Sequence, residues 1–208
     1  SPILPLTASR ATVQSAVDAI TAPVRSGGTT IVVGLQGAWY TLSPNWQTWW
    51  PNSPASQEFG ALPLAYNTRN MVKAVVILTD GDNNWQAPYA GASVRASPTA
   101  TDLVYNAYGR VTNNSMPPHD VTNWNTDFTG VTAMSSATQT TADTRLDTRF
   151  ADVCAAMKNS TRSVADSNTP ASHRIRIYVI GFEVSTTAQR TMLQDCASTP
   201  NSPYYFEA

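Results

Sequence analysis

The stretch Val75-Val76-Ile77-Leu78-Thr79-Asp80-Gly81-Asp82-Asn83-Asn84 decides the fold class. Four consecutive large apolar residues without alternation suit a parallel strand covered on both faces. The strand ends in a hydroxyl, a carboxylate and a turn, and open α/β sheets hold ligands at the carboxyl ends of their strands. Upstream, Ser26-Gly27-Gly28-Thr29-Thr30 forms a glycine-rich loop that presents a threonine hydroxyl just before an apolar helix. One hydroxyl and one carboxylate on two loops are hard oxygen donors of the kind that Mg²⁺ and Ca²⁺ take.

Outward from that strand, hydrophobic periodicity marks the other elements. Val13, Ala16, Val17 and Ile20 give Ser9 to Ala22 a helical stripe, which Pro23 and Gly27-Gly28 terminate. A second helix starts at Thr29 or Thr30 and carries Ile31, Leu35, Trp39 and Leu42 at helical spacing, with Trp39 in the core. An aromatic, proline-punctuated loop with Trp46, Trp49 and Trp50 follows, then the strand at Val72 to Thr79. From about residue 83 to 143 the pattern weakens into a long irregular insertion, with a short helix at Thr101 to Tyr108 and loop at Ser135 to Thr141. Leu146, Phe150, Val153 and Met157 restore a helical stripe over Thr144 to Lys158. A strand at Ile175 to Ile180, a helix at Thr186 to Ala197 and a strand at Tyr204 to Phe206 complete the chain. Strands alternating with helices predict an α/β fold: a doubly wound, mostly parallel sheet with helices on both faces.

The 208 residues correspond to one domain with long loops. Only 13% are charged and the net charge is −1, with no Lys/Arg cluster, which argues against nucleic acid or anionic lipid as partner. No stretch approaches the roughly twenty apolar residues of a membrane span. Ser1 to Leu6 is too short for a secretion signal and lacks a basic start, so an anchor or export signal is expected outside this chain.

Cys154 and Cys196 lie on the two predicted helices flanking the strand at Ile175 to Ile180. An oxidising compartment would join them, and a reducing one would leave two buried thiols. Neither CxxC spacing nor a nearby His marks them as metal ligands. His119 and His173 lack ligand spacing and read as surface residues. No GxSxG, HExxH, P-loop or dinucleotide fingerprint occurs, so the chain is not expected to be an enzyme.

Taken in order, Gly27-Gly28-Thr29, Leu78-Thr79-Asp80-Gly81 and Ile177-Tyr178-Val179-Ile180-Gly181-Phe182 resemble the von Willebrand factor A domain. Closer still is the similarity to TadG-like proteins of tight-adherence (Flp-type) pilus assembly. It is carried by Gly27-Gly28-Thr29-Thr30, Trp39, Leu42-Ser43-Pro44, Thr79-Asp80-Gly81-Asp82-Asn83, Cys154-Ala155-Ala156-Met157-Lys158, Cys196-Ala197-Ser198 and Tyr204-Tyr205-Phe206-Glu207-Ala208. The resemblance implies a von Willebrand A, Rossmann-like fold and a metal-ion-dependent adhesion site. In such a site Thr29 and Asp80 would hold Mg²⁺, or Ca²⁺ or Mn²⁺, and an acidic side chain of a protein partner would complete the shell. It further implies a location in the periplasm or at the bacterial surface, pilus or surface assembly components as partners, and a membrane anchor only through an absent N-terminal segment.

One departure stands out. The family's first strand carries Asp-x-Ser-x-Ser, and this sequence has none. Residues 1–208 therefore resemble the C-terminal portion of one such domain, with the N-terminal strands missing and further metal ligands expected from outside the chain. The strand at Val72 to Thr79 would then lack a neighbour and expose apolar side chains. Each candidate also has a plainer role: Asp80 as a turn residue, Asp82 as a solvated one, Thr29 as a helix cap, and the Trp46, Trp49, Trp50 cluster as packing over the sheet edge. The alternatives to adhesion are a structural assembly subunit with a vestigial metal site, and a carbohydrate-binding surface protein using the tryptophan-rich loop.

Overall fold

The computed structural model describes residues 3–4, 6–20, 29–49, 62–66, 68–84, 136–158 and 175–208. These contain helices α1 (Arg10–Asp18), α2 (Ile31–Leu42), α3 (Ser136–Lys158) and α4 (Thr187–Cys196), a 3₁₀ helix (Pro44–Trp49), and strands β1 (Ala74–Thr79), β2 (Arg176–Gly181) and β3 (Tyr205–Glu207). The class is mixed α/β. The chain divides into two compact units, one of residues 1–22, 34–81 and 152–208, the other of residues 23–33 and 82–151.

The first unit is built on a three-stranded sheet of order β1-β2-β3, parallel throughout. Val75 faces Ile177, Ile77 faces Val179, and Val179 faces Tyr205. All five side chains are buried and form the covered face, with Met157, Leu193 and Val153 in the same core. Both crossovers, β1 to β2 and β2 to β3, step in the same direction along the sheet. Right-handed connections of that kind place their helices on one side, and α4 packs on β2. The last turn of α3 is tied to the end of α4 by the Cys154–Cys196 disulfide.

The opposite face is open. Val76 is 64% exposed, Leu78 70% and Phe206 46%. The expectation of a strand covered on both faces is therefore corrected for β1, whereas the exposure expected of a strand without its neighbour is present. The second helical layer has no counterpart among the described residues. Hydrogen bonding says the same of the edge: Arg176 N–H donates to Lys73 O and Phe182 N–H to Thr79 O, both at 2.9 Å. In a parallel ladder this turns the odd-numbered residues of β1 toward β2 and points the N–H and C=O of Ala74, Val76 and Leu78 outward. No described strand pairs with that edge.

Element ends moved where local chemistry outweighed periodicity. α1 starts at its Ser9 cap, whose hydroxyl accepts from Thr12 N–H, and stops at Asp18 rather than Ala22. Its apolar stripe covers nothing, with Val13, Val17 and Ile20 all exposed. The segment Ser136 to Thr141, expected as loop, is helix. It holds no Pro or Gly; the next turns of the same helix absorb their threonine hydroxyls one turn back, Thr144 to Thr140 O and Thr148 to Thr144 O, both 2.9 Å. α4 begins with a reciprocal capping box between Thr186 and Gln189.

Two lysines, one buried and one half-buried, pin the first unit. Lys73, 7% exposed, donates to the carbonyls of Leu42 and Leu64 and lies 4.6 Å from the centre of the Tyr66 ring. It holds the last turn of α2 against the start of β1. Lys158 does the equivalent at the end of α4, donating to Asp195 O and, at 3.1 Å, to Ala197 O. Cations belong at helix carboxyl ends, where carbonyls lack partners. Burial lowers the Lys158 pKa, and Asp195 partly opposes that.

Among the described residues of the second unit, Val32 in the first turn of α2 and Ala142, Leu146 and Phe150 in the amino-terminal part of α3 are fully buried. The short helix expected at Thr101 to Tyr108 and both histidines lie outside the described residues.

Candidate functional site

In the first unit the carboxyl end of β1 presents Asp80 to solvent. Thr79 Oγ1 accepts from Gly81 N–H at 3.1 Å and reaches Asp80 Oδ1 at 3.5 Å. Gly81 makes the turn at a φ of 88°, where an added Cβ would stand 3.3 Å from Leu193 Cδ1. The glycine is thus required both by conformation and by the approach of α4. The result is an open carboxylate on a rigid turn, at the position where parallel sheets present ligand-binding groups.

In the second unit Thr29 is exposed, and its carbonyl accepts from Asn84 N–H at 2.9 Å. Thr29 does not cap α2 in the way expected. The first helical N–H, that of Ile31, instead donates to Asn83 Oδ1 at 2.9 Å. Asn83 is 4% exposed, and its Nδ2 donates to Asp147 Oδ1 at 3.0 Å. Sequence reading missed both residues, because a cap supplied from 52 positions away leaves no local pattern. Asn84 Oδ1 is buried without a hydrogen-bond partner.

Burial raises the Asp147 pKa. The Asn83 hydrogen bond opposes the rise, and the nearby Asp143 and Asp82 add to it. A carboxyl raised in the native state binds its proton more tightly there than in the unfolded chain. Stability should therefore fall as pH rises from the ordinary carboxylate range through the raised native value. Asp147→Asn keeps an acceptor for Asn83 and removes the charge. We expect that variant to match or exceed the parent at neutral pH and to lose this part of the pH dependence, read from urea midpoints between about pH 4 and 7.

Of the aromatic segment, expected as loop, Pro44–Trp49 is the 3₁₀ helix. Trp46 stacks on Tyr40 with ring centres 4.0 Å apart and meets the Trp49 ring at 5.4 Å, while Trp49 is 70% exposed. Trp50 lies outside the described residues. Trp39 is half-buried, its indole N–H donating to the Tyr66 hydroxyl at 2.9 Å. At the far side of the carboxyl edge Glu207 forms a two-pronged pair with Arg190, both contacts 2.7 Å. That pairing lowers the Glu207 pKa and raises that of Arg190.

Of the two residues expected to ligate metal, Asp80 and Thr29, each offers an accessible hard oxygen, the donor type that Mg²⁺ and Ca²⁺ require. They belong to different compact units. Among the described residues no group of three or more His, Cys, Asp or Glu side chains could hold a metal ion. Nor is any described helix long and apolar enough to cross a membrane. Comparison with known proteins finds no matching family model, curated protein or solved structure.

Proposed function

We propose that this chain is a noncatalytic protein-binding module of a bacterial pilus-assembly or surface protein, working through metal-bridged recognition. The observation that carries the reading is the exposed Asp80 carboxylate at the end of β1, a strand whose outer edge pairs with no described strand and whose Val76 and Leu78 are exposed. A site of that description suits a polypeptide laid alongside the sheet better than a small molecule. Asp80 and Thr29 supply two hard oxygens, and their pairing rests on the ordered resemblance to von Willebrand A domains. Mg²⁺, Ca²⁺ or Mn²⁺ takes more oxygens than two. The remainder come from a segment outside these residues bearing Asp-x-Ser-x-Ser, and from an acidic side chain of the bound partner. An ion held there would offset the repulsion between Asp80 and an acidic side chain of the partner. The disulfide accords with an oxidising compartment such as the periplasm or the cell surface.

The test offers the chain a synthetic segment made of an apolar strand ending in Asp-x-Ser-x-Ser, in Mg²⁺ and in EDTA. Binding should require the ion and fall by at least about tenfold in Asp80→Ala, while stability stays within about 0.5 kcal/mol of the parent, as for other exposed positions. Equal binding by the parent and Asp80→Ala sinks the mechanism. Self-association that ignores EDTA and disappears when Trp49 is replaced would favour the structural-subunit reading, to which the exposure of Trp49 lends support.

A further inference from the structure

Asn83 has both ends of its amide engaged while being almost fully buried. Its oxygen takes the leading N–H of α2, one of the groups that a helix start leaves without an intrahelical partner. Its nitrogen is anchored to Asp147 of α3, 64 positions away. The next backbone N–H, that of Asn84, holds the carbonyl of Thr29. The Thr29 loop is thus gripped at two points by the segment that follows β1, and α3 grips that segment in turn.

We infer that Asn83 is the positioning residue of the Thr29 loop, coupling the placement of the Thr29 hydroxyl to helix α3. Among side chains of this size only an amide offers an acceptor toward Ile31 and a donor toward Asp147 at once. Aspartate would keep the first contact and turn the second into an approach of two carboxylates. Leucine would satisfy neither. The functional consequence, that Asn83 sets the readiness of Thr29 as a metal ligand, rests on the reading of Thr29 given above, whereas the positioning itself does not.

The experiment uses the full chain in three forms: parent, Asn83→Asp, and Asn83→Asp combined with Asp147→Asn. The double variant restores one donor facing one acceptor with the polarity reversed. Amide hydrogen exchange at Ile31 and Asn84 is followed together with the broadening of Thr29 resonances by Mn²⁺ alone, which registers even low occupancy. At neutral pH the single variant should exchange at Ile31 and Asn84 faster by about tenfold or more, the scale of a buried charge left without a donor. Val179 on β2 should not change. The double variant should return both amides to the parent rate, which a loss of packing alone would not allow, and Mn²⁺ broadening at Thr29 should disappear and return in step.

Unchanged exchange in the single variant, or no recovery in the double one, overturns the inference. So does Mn²⁺ broadening that persists in the single variant while exchange accelerates. Parent protein without any Mn²⁺ effect at Thr29 refutes the metal reading instead, and the exchange pattern then decides the role of Asn83.

Discussion

Replacing Cys154 and Cys196 together by serine should lower the unfolding free energy by about 4 kcal/mol, the chain-entropy value for a loop of this length. The bond closes 42 positions of sequence and joins the carboxyl ends of α3 and α4, and both cysteines are 1% exposed. Loss of the bond releases the chain between the two helices in the unfolded state and leaves two hydroxyls in a buried site. The Lys158 contacts to Asp195 and Ala197 remain, so the helix ends keep a weaker tie. Urea unfolding of the parent with and without reductant, beside the double serine variant, measures the effect. A shift below about 1 kcal/mol would mean that the native state is strained by the bond or the unfolded state already compact.

Phe150→Ala should cost the second unit about 3–5 kcal/mol, the range for emptying a fully buried aromatic site. Phe150 is 0% exposed, as are Val32, Ala142 and Leu146 of the same unit. Hydrogen exchange along α3 should therefore quicken between residues 140 and 150. Protection there that matches the parent would show that the rest of the unit holds α3 in place without the ring.

Much of the described fold was legible in the sequence because its signals are local. The run Val75 to Leu78, the stripe Leu146 to Met157, and the Thr186 to Gln189 start of α4 each announce their element within a few residues. Parallel pairing followed from the alternation of strands and helices, and β1-β2-β3 is parallel. What periodicity could not convey was which side of β1 would be covered, since a continuous apolar run reads alike when one face or both are buried. The same limit applies to α1, whose stripe is regular yet exposed. Among candidate ligands, Asp80 was visible because a carboxylate after an apolar strand stands out. Lys73, Asn83 and Asp147, which are not candidate ligands, were not visible, because their roles arise from contacts 9 to 64 positions away that no local pattern of residue types announces.

The outward-pointing backbone of β1 makes dilution informative. Three residues there offer N–H and C=O groups to whichever strand arrives, and capture by a separate molecule is second order. A strand tethered to the same polypeptide arrives at an effective concentration on the order of millimolar, whatever the protein concentration. Protection of the Ala74, Val76 and Leu78 amides that survives a hundredfold dilution would identify a covalently linked occupant. Protection that fades with dilution would identify a visitor.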